Sequence, residues 1–299
     1  MAIPIIIFHQ GDAPYLWFTL RQAKLSNPLS EIILLGDSSN AHYAGVKHIR
    51  IADFFQRAKQ FEQHYQHFST NSKAFELICM QRWLVIADYM KNHMEKAVFL
   101  DSDVMTYCDL TQEQQKFKQF DFTLNRQLGP QTMFINKLDG LERFCEYFVQ
   151  YYAHPEKMAQ LQSWYDNYRV TALKGGVCDM WFFEHYAKLY PERVGETFNV
   201  NSAIFDNTIQ YDDGFEMRLG IKKIIWKHNK PYGYHLASKA WKPFNTLHFQ
   251  GYTKCYIPKY ASSKNLWFYL QSWPYRIQLS CGLVRRILSK VADKLKRLS

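Results

Sequence analysis

The chain has 299 residues, 47% of them hydrophobic and 21% charged, and carries a formal net charge of +10 at pH 7. This length and composition suffice for one large α/β domain with a packed core, and they exclude a wholly disordered chain. The positive charge indicates an anionic partner, but no DNA- or RNA-binding module accompanies it, so nucleic acid is not the expected partner.

The first part of the chain alternates between short apolar runs and helical patterns. Ile3–Phe8 predicts a buried strand that leads into the loop His9-Gln10-Gly11-Asp12. A helix is predicted over Tyr15–Ser26, and two further strands over Glu31–Leu35 and Val46–Ile51. The longest predicted helix covers Lys73–Met94.

The same alternation continues after this helix. Ala97–Leu100 predicts another buried strand, which ends on Asp101, and Phe120–Leu124 a further one. Helices are predicted over Leu138–Tyr152 and Val177–Leu189, and a strand over Leu219–Trp226. Strands and helices at this spacing favour a mostly parallel sheet flanked by helices, with one domain over residues 1–260 and an extension over residues 261–299.

Two carboxylates follow the strand that ends at Leu100. In open α/β sheets, ligands bind at the carboxyl ends of the strands, and residues i and i+2 of an extended chain point to the same side. Asp101 and Asp103 are therefore expected to converge on one cation while Ser102 faces away. Mg²⁺ or Mn²⁺ prefers such oxygen ligands. The ordinary alternative is that these side chains only cap a turn.

Two stretches carry a resemblance to a known family. Val98–Val104 resembles the LDxD strand of GT-A fold glycosyltransferases, notably glycosyltransferase family 8 and bacterial surface-polysaccharide (lipopolysaccharide and capsule) glycosyltransferases. His248–Lys254 (HFQGYTK) resembles the H-x-x-G-x-x-K motif of that family. The family commonly has Pro-Trp after the lysine, whereas Cys255-Tyr256 follows here.

The resemblance implies a GT-A (Rossmann-like) fold and a transferase that uses a nucleotide-diphospho-sugar, in the first place a UDP-sugar, with Mn²⁺ or Mg²⁺. It implies that His248 completes the metal site of Asp101 and Asp103, and that Lys254 and Arg82 contact the diphosphate. Imidazole is an acceptable third ligand for Mn²⁺, and lysine supplies a point charge for phosphate. Further donor contacts are expected from His9, Gly11, Asp12, Asp37, Ser102 and Gly251.

A third motif lies between these two. Gly175 and Gly176 precede a predicted helix, and such a loop can approach a ligand closely. Asp179 at the helix start is the candidate catalytic residue, as an acceptor for a sugar hydroxyl or as a general base. Alternatively, it only complements the helix dipole. Weaker acceptor-side candidates are Asn136, Phe198 and Asn199.

The C-terminus predicts a basic amphipathic helix that lies on an anionic membrane. The alternatives are a helix folded back on the domain or one that binds a partner. Its apolar positions are Leu279, Leu283, Val284, Ile287, Leu288, Val291, Leu295 and Leu298, and its basic ones are Arg285, Arg286, Lys290, Lys294, Lys296 and Arg297. The aromatic residues Trp267, Phe268, Tyr269, Trp273 and Tyr275 lie upstream and fit the headgroup region.

Other features bear on the compartment. The six cysteines show no C-x-x-C spacing, the N-terminus lacks the features of a signal peptide, and no run of about 18 apolar residues occurs. We therefore expect a cytoplasmic protein, peripheral on the inner face of the cytoplasmic membrane, that acts on a lipid-linked saccharide acceptor. The alternative functions are a nucleotidyltransferase acting on sugar phosphates, and a non-catalytic membrane-associated scaffold.

Overall fold

The computed structural model describes residues 1–125, 129–172, 174–262 and 268–280. Its strands alternate with helices over the first half of the chain and cluster in the second half. The strands are β1 (Ile5–Phe8), β2 (Ile32–Gly36), β3 (Lys47–Arg50), β4 (Ala97–Asp101), β5 (Val104–Thr106), β6 (Phe122–Leu124), β7 (Thr132–Ile135), β8 (Val194–Glu196), β9 (Ile204–Phe205), β10 (Met217–Arg218), β11 (Ile221–Lys222), β12 (Ile224–Lys227), β13 (Lys230–His235) and β14 (Ala240–His248).

The main sheet of the described part of the chain has seven strands in the order β3-β2-β1-β4-β7-β6-β8. β1 pairs in parallel with both β2 and β4, so that Phe8 lies opposite Asp101 at the carboxyl ends of the strands. β7 is antiparallel to β4 and β6, with Thr132 opposite Leu100. The sheet is thus largely parallel, as the sequence predicted.

Helices cover the main sheet. Its central strands are apolar throughout because they are buried beneath these helices. The long helix α3 begins at Ser72, whose hydroxyl accepts a hydrogen bond from the Phe75 amide. The helices are α1 (Leu16–Ser26), α2 (Gln56–His64), α3 (Lys73–Lys91), α4 (Leu110–Gln114), α5 (Leu138–Ala153), α6 (Pro155–Thr171), α7 (Asp179–Leu189) and α8 (268–280). Short 3₁₀ helices occupy Ser38–Asn40, Ile51–Phe54, Gln115–Phe117 and Gly251–Tyr260.

Successive residues of the central strands enter two different cores. Ile6 and Phe8 pack with α2, α3, α5 and α7 on one face of the sheet. Ile5 and Ile7 pack with α1, β5 and β14 on the other face. Because a strand sends alternate side chains to opposite faces, a strand that is covered on both sides reads as a continuous apolar run.

A second sheet brings the end of the domain to the acidic strand. In it, β14 lies between β13 and β5, and β9 pairs with β14 in parallel. The antiparallel register of β14 and β5 sets His248 opposite Val104. The Phe249 amide also donates to the Asp103 carbonyl over 3.0 Å. The two sequence motifs are therefore adjacent in space although they are distant in the chain.

One predicted element differs from the structure, and one long helix was not predicted. Leu219–Trp226 was predicted as one strand, which is wrong: β11 pairs with β10 and β12 pairs with β13, after a turn at Leu219 and Gly220 with positive φ at both residues. The sequence also did not predict α6, whose one buried residue is Leu161. A helix that buries so little shows weak apolar periodicity.

The described part of the C-terminal extension packs on the domain. Tyr275 of α8 stacks on Trp17 of α1, with 5.4 Å between ring centroids, and Phe268 is buried against the same helix. Most of the predicted basic amphipathic helix, over residues 281–299, lies outside the described residues. Within the described ranges, none of the helices has the length and apolar character required to cross a bilayer.

Candidate active site

The acidic pair lies at the carboxyl edge of the main sheet, where β4 ends. Asp101 is its last residue, and its amide donates to the Gln131 carbonyl over 2.9 Å. Asp103 follows in the turn to β5 and is 6% exposed. Ligand atoms of Asp101, Asp103 and His248 all lie within 4.8 Å of one another. The three residues predicted as metal ligands thus converge.

His248 ends β14, and two hydrogen bonds fix its orientation. Its Nδ1 donates to the Asn207 carbonyl over 2.6 Å, and its backbone amide donates to Asp206 Oδ2 over 3.1 Å. Because Nδ1 carries a proton, Nε2 is the ring nitrogen that faces Asp103, 3.3 Å from Oδ1. Imidazole ligands of metals are typically held in this way by an acceptor on the second nitrogen.

Asn207 is a residue that the sequence analysis missed. Its side-chain carbonyl accepts a hydrogen bond from Gln131 over 3.2 Å. Its amide Nδ2 is buried and, within the described part of the chain, has no hydrogen-bond partner. This donor is thus available to an acceptor beside the three metal-ligand candidates. Asn207 follows β9, a strand of two residues that leaves no apolar pattern in the sequence.

Charges hold the acid and the imidazole in their ionised forms. Burial alone would lower the pKa of His248, but the charge and hydrogen bond of Asp103 outweigh it and raise this pKa to about 9. Burial would raise the pKa of Asp103, but His248 and Lys254 outweigh it and lower this pKa well below its ordinary value. The metal-free site therefore holds a carboxylate–imidazolium pair at neutral pH.

Lys254 approaches the same carboxylate from the other side. Its Nζ lies 3.1 Å from Asp103 Oδ2 and 5.2 Å from the centre of the Tyr15 ring. The 3₁₀ helix that carries it begins at Gly251, where φ is +62° and a Cβ would meet no atom within 4 Å. The backbone at Gly251 is therefore open to a ligand, as expected for a phosphate contact.

Arg82 of α3 lies between two carboxylates. Its Nη1 is 2.7 Å from Asp101 Oδ1, and its Nη2 is 2.6 Å from Asp179 Oδ2. Burial would lower the pKa of Arg82, but these two carboxylates outweigh it and raise this pKa further. Burial is also the main reason that the pKa of Asp101 is raised, although Arg82 opposes this. The guanidinium predicted for the diphosphate thus pairs with protein carboxylates in this structure.

Asp179 lies at the start of α7 and is 4% exposed. Besides Arg82, the Trp83 indole donates to its Oδ2 over 3.0 Å. Its Oδ1 accepts from the Met180 amide over 2.9 Å, which agrees with a role at the helix start. Asp179 is thereby connected to Asp101 through Arg82.

The loop after β1 contributes a second group of polar side chains. Ser102 Oγ lies 3.0 Å from His9 Nδ1 and 3.4 Å from the Tyr15 hydroxyl. Ser102 therefore contacts this loop rather than the acidic cluster. Burial, with a smaller effect of Lys254, lowers the pKa of His9 to about 4, so that this ring is neutral at pH 7. Tyr15 is a further neighbour that the sequence analysis missed.

The other predicted nucleotide contacts lie beside His9. The Gly11 amide donates to Asp37 Oδ2 over 2.6 Å, and φ at Gly11 is +82°. Asp37 Oδ1 also accepts from the Ser39 amide and caps a short 3₁₀ helix. Asp12 accepts a hydrogen bond from Tyr43 over 2.7 Å. These residues shape the loop at the carboxyl ends of β1 and β2.

The expectations for Asn136, as an acceptor-side residue, and for Gly176, as part of a loop that approaches a ligand, do not agree with the structure. Asn136 follows β7, which runs antiparallel to β4, so that it lies at the opposite edge of the sheet and bonds to the carbonyls of Phe117 and Phe120. Gly176 approaches backbone and not an open surface, since a Cβ there would come within 2.1 Å of the Phe68 carbonyl oxygen. The remaining candidates, Phe198 and Asn199, lie in the loop after β8, half-buried and exposed respectively.

The donor set fits a hard divalent cation. The set consists of two carboxylates, which converge from positions i and i+2, and one imidazole of fixed orientation. Mn²⁺ and Mg²⁺ accept these ligands, and this set contains no thiolate. Arg82 pairs with Asp101 and Lys254 with Asp103, and these two positive charges offset the repulsion between the two carboxylates.

The sheet order and the acidic edge define a GT-A-like glycosyltransferase fold, and comparison with known structures agrees with it. Mouse xyloside xylosyltransferase 1 is similar with a TM-score of 0.50 and 12% identity, over 66% of this chain and 86% of that one. At this identity the similarity shows the fold alone.

Other solved structures give lower scores. The galactosyltransferase LgtC, in complex with donor and acceptor sugar analogs, has a TM-score of 0.47 at 11% identity over 90% of this chain and 100% of that one. The bifunctional glycosyltransferase WbbM has 0.47 at 12% identity over 92% and 52%. No model of a known protein family and no curated protein matches the sequence. Membership of family 8 stays a prediction.

Proposed function

We propose that this protein is a glycosyltransferase of the hexosyltransferase type, which transfers a sugar from a nucleotide-diphospho-sugar, in the first place a UDP-sugar, to a saccharide acceptor. The observation that carries the proposal is the convergence of Asp101, Asp103 and His248 at the carboxyl edge of the parallel sheet, with the Lys254 ammonium 3.1 Å from Asp103. Ligands bind at this edge in open α/β folds. A cation site beside a lysine ammonium suits a pyrophosphate.

Different residues of the site would bind the metal and the diphosphate. Asp101, Asp103 and His248 would hold Mn²⁺ or Mg²⁺, which neutralises charge on the leaving diphosphate. Lys254, whose Nζ lies 3.1 Å from Asp103 Oδ2, would donate to the diphosphate of a donor bound beside the cation. Arg82 keeps Asp101 ionised and oriented, and contributes positive charge near the same group.

The loop after β1 is the proposed nucleotide site. Neutral His9 and Ser102 offer uncharged hydrogen-bonding groups there, and Gly11 and Asp37 shape the backbone beside them. Asp179, which shares Arg82 with Asp101, would face the reacting sugars as hydrogen-bond acceptor or general base. The proposed catalytic domain covers residues 1–260.

We further propose that the acceptor is lipid-linked, in lipopolysaccharide or other surface-glycan synthesis, and that the protein works on the inner face of the cytoplasmic membrane. Leu270, Trp273 and Ile277 support this, because they share the outer face of α8 and are 59%, 64% and 47% exposed. A cavity of about 360 Å³ beside α8 is lined in part by Lys259 and Arg276. An anionic lipid surface complements the net charge of +10.

Calorimetric titration of UDP with and without Mn²⁺ tests the proposal. We expect Mn²⁺ to tighten UDP binding by about tenfold or more in the wild type, and Asp103→Ala to abolish this effect. A screen of nucleotide-sugars for Mn²⁺-dependent hydrolysis would then identify the donor. UDP affinity that is independent of Mn²⁺, or release of pyrophosphate from a nucleoside triphosphate and a sugar phosphate, would overturn the proposal.

A further inference from the structure

Lys222 is a buried lysine outside the cluster of predicted site residues. It lies on β11, and its side chain is 0% exposed. Its ammonium donates to Asp206 Oδ1 over 2.8 Å, to Asp213 Oδ2 over 2.8 Å and to the Thr208 carbonyl over 2.6 Å. An ammonium has three donors, so these contacts use all of them. Lys222 therefore has no free donor for a substrate and acts through the groups that it holds.

The groups held by Lys222 lie on both sides of one residue. Asp206 and Thr208 precede and follow Asn207, whose carbonyl accepts the hydrogen bond from His248 Nδ1. The second carboxylate oxygen of Asp206 accepts from the His248 backbone amide. One buried ammonium thus fixes the short segment that contacts His248 at both its ring and its backbone.

We propose that Lys222 is a positioning residue for the metal site. By holding Asp206 and Thr208, it sets the place of the Asn207 carbonyl, and that carbonyl orients the His248 imidazole so that Nε2 faces Asp103. The inference rests on the proposed function, since it takes His248 as a metal ligand. Groups that orient an imidazole ligand typically change metal affinity by 10- to 100-fold when they are altered.

A matched pair of variants separates positioning from simple stabilisation. Asp206 and Asp213 accept from the same ammonium at the same distance of 2.8 Å, and both are buried. Asp206 also contacts the His248 backbone, whereas Asp213 precedes Gly214 in the loop toward β10. Asp206→Asn and Asp213→Asn therefore each remove one negative charge that pairs with Lys222. They differ because Asp206 also contacts the His248 backbone.

The experiment measures Mn²⁺ affinity by calorimetry, and the ¹⁵N resonances of the His248 ring by NMR without metal, for the full chain. We expect Lys222→Met and Asp206→Asn to weaken Mn²⁺ binding by about tenfold or more and to shift the His248 resonances. Asp213→Asn should change affinity by less than about threefold and leave these resonances in place. Lys223→Met, beside Lys222 but paired with Glu216, is the surface control.

Other outcomes decide against the inference. It is overturned if folded Asp206→Asn keeps wild-type Mn²⁺ affinity and His248 resonances, or if Asp213→Asn matches Asp206→Asn in both. If Lys222→Met does not fold, the pair of aspartate variants decides alone. A wild type that does not bind Mn²⁺ contradicts the proposed function instead, and the metal-free His248 resonances then still test whether Lys222 orients the ring.

Discussion

Asp103 and His248 face each other where the two sheets meet, with 3.3 Å between Asp103 Oδ1 and His248 Nε2. The carboxylate follows the last strand of the central parallel set, and the imidazole ends the longest strand of the second sheet. Each holds the other in its charged form, since the pKa of His248 is raised to about 9 and that of Asp103 is lowered. A cation that binds here must replace a proton.

The first prediction concerns the His248 imidazole in Asp103→Asn. Burial lowers the pKa of His248, and the charge of Asp103 is the main opposing influence. Without that charge, we expect this pKa to fall from about 9 to below the ordinary value of 6.5. NMR titration of the ring resonances measures it. Asp101→Asn is the control, because Asp101 contributes less to the shift; an equal fall in both variants would contradict the geometry.

A second prediction concerns the pH dependence of Mn²⁺ binding. At a pH below about 9, His248 carries a proton that the metal must displace. Apparent Mn²⁺ affinity should therefore rise by about tenfold per pH unit between about pH 6.5 and 8.5, and level off above about pH 9. Calorimetry in buffers of different ionisation enthalpy would count the released proton.

The control for this pH dependence is His9→Gln. The pKa of His9 is lowered to about 4, so this residue does not titrate in the tested range and its replacement should preserve the slope. The raised pKa of His248 also makes the free energy of unfolding depend on pH when no metal is bound. While Asp103 is ionised, the stabilisation that comes from the charge of His248 is complete below about pH 6.5 and is lost as the pH rises through about 9. If the Mn²⁺ affinity of His248→Gln rose with pH as steeply as that of the wild type, His248 would be excluded as the source of the pH dependence.

The sequence predicted those parts of the site that follow from local pattern. Asp101 and Asp103 follow a continuous apolar run, which marks both the strand and its carboxyl end. His248 was predicted through a motif, because no local pattern shows that β14 pairs with β5. Asp206 and Asn207 follow a strand of two residues, and the contact of Asn207 with His248 exists only in the folded chain.

Strand direction accounts for the expectation that failed. Asn136 follows a buried run much like the one before Asp101, and a parallel β7 would have placed it at the active edge. The antiparallel pairing of Ala97 with Ile135 and of Leu100 with Thr132 places it at the other edge. Pairing direction depends on the route of the chain between strands, which composition and periodicity do not determine.

A third prediction concerns stability and Arg82. Its guanidinium is the shared partner of Asp101 and Asp179, and its side chain is 15% exposed. Arg82→Met would leave the buried carboxylate of Asp179 and the partly buried one of Asp101 without their shared guanidinium, so we expect a loss of about 3 kcal/mol in the free energy of unfolding. Urea denaturation measures this loss. Mn²⁺ should recover part of it by replacing the lost charge.

Arg21→Met is the matched control for Arg82→Met. The guanidinium of Arg21 lies 5.4 Å from the centre of the Trp17 ring, and its loss should lower the free energy of unfolding by about 1 kcal/mol or less. Equal losses in the two variants would mean that Arg82 stabilises through packing. In that case the carboxylates of Asp101 and Asp179 would not depend on its charge.

The last prediction concerns membrane binding by the outer face of α8. Leu270 and Trp273 are more than half exposed on this face, while Phe268 on the inner face is buried against α1. Replacing both with serine removes apolar surface that can enter the bilayer interface without disturbing the packing on α1. We expect Leu270→Ser with Trp273→Ser to weaken binding of the full chain to anionic vesicles by about tenfold.

Vesicle co-sedimentation measures this binding, and Val170→Ser is the control because Val170 is 83% exposed on α6. Neutral vesicles should bind the wild type more weakly than anionic ones, since each basic residue near an anionic surface contributes about 1 kcal/mol. Equal binding to neutral vesicles would mean that the net charge of +10 does not act through lipid. An effect of Val170→Ser as large as that of the double variant would mean that any exposed apolar side chain suffices, and α8 would then have no special role at the membrane.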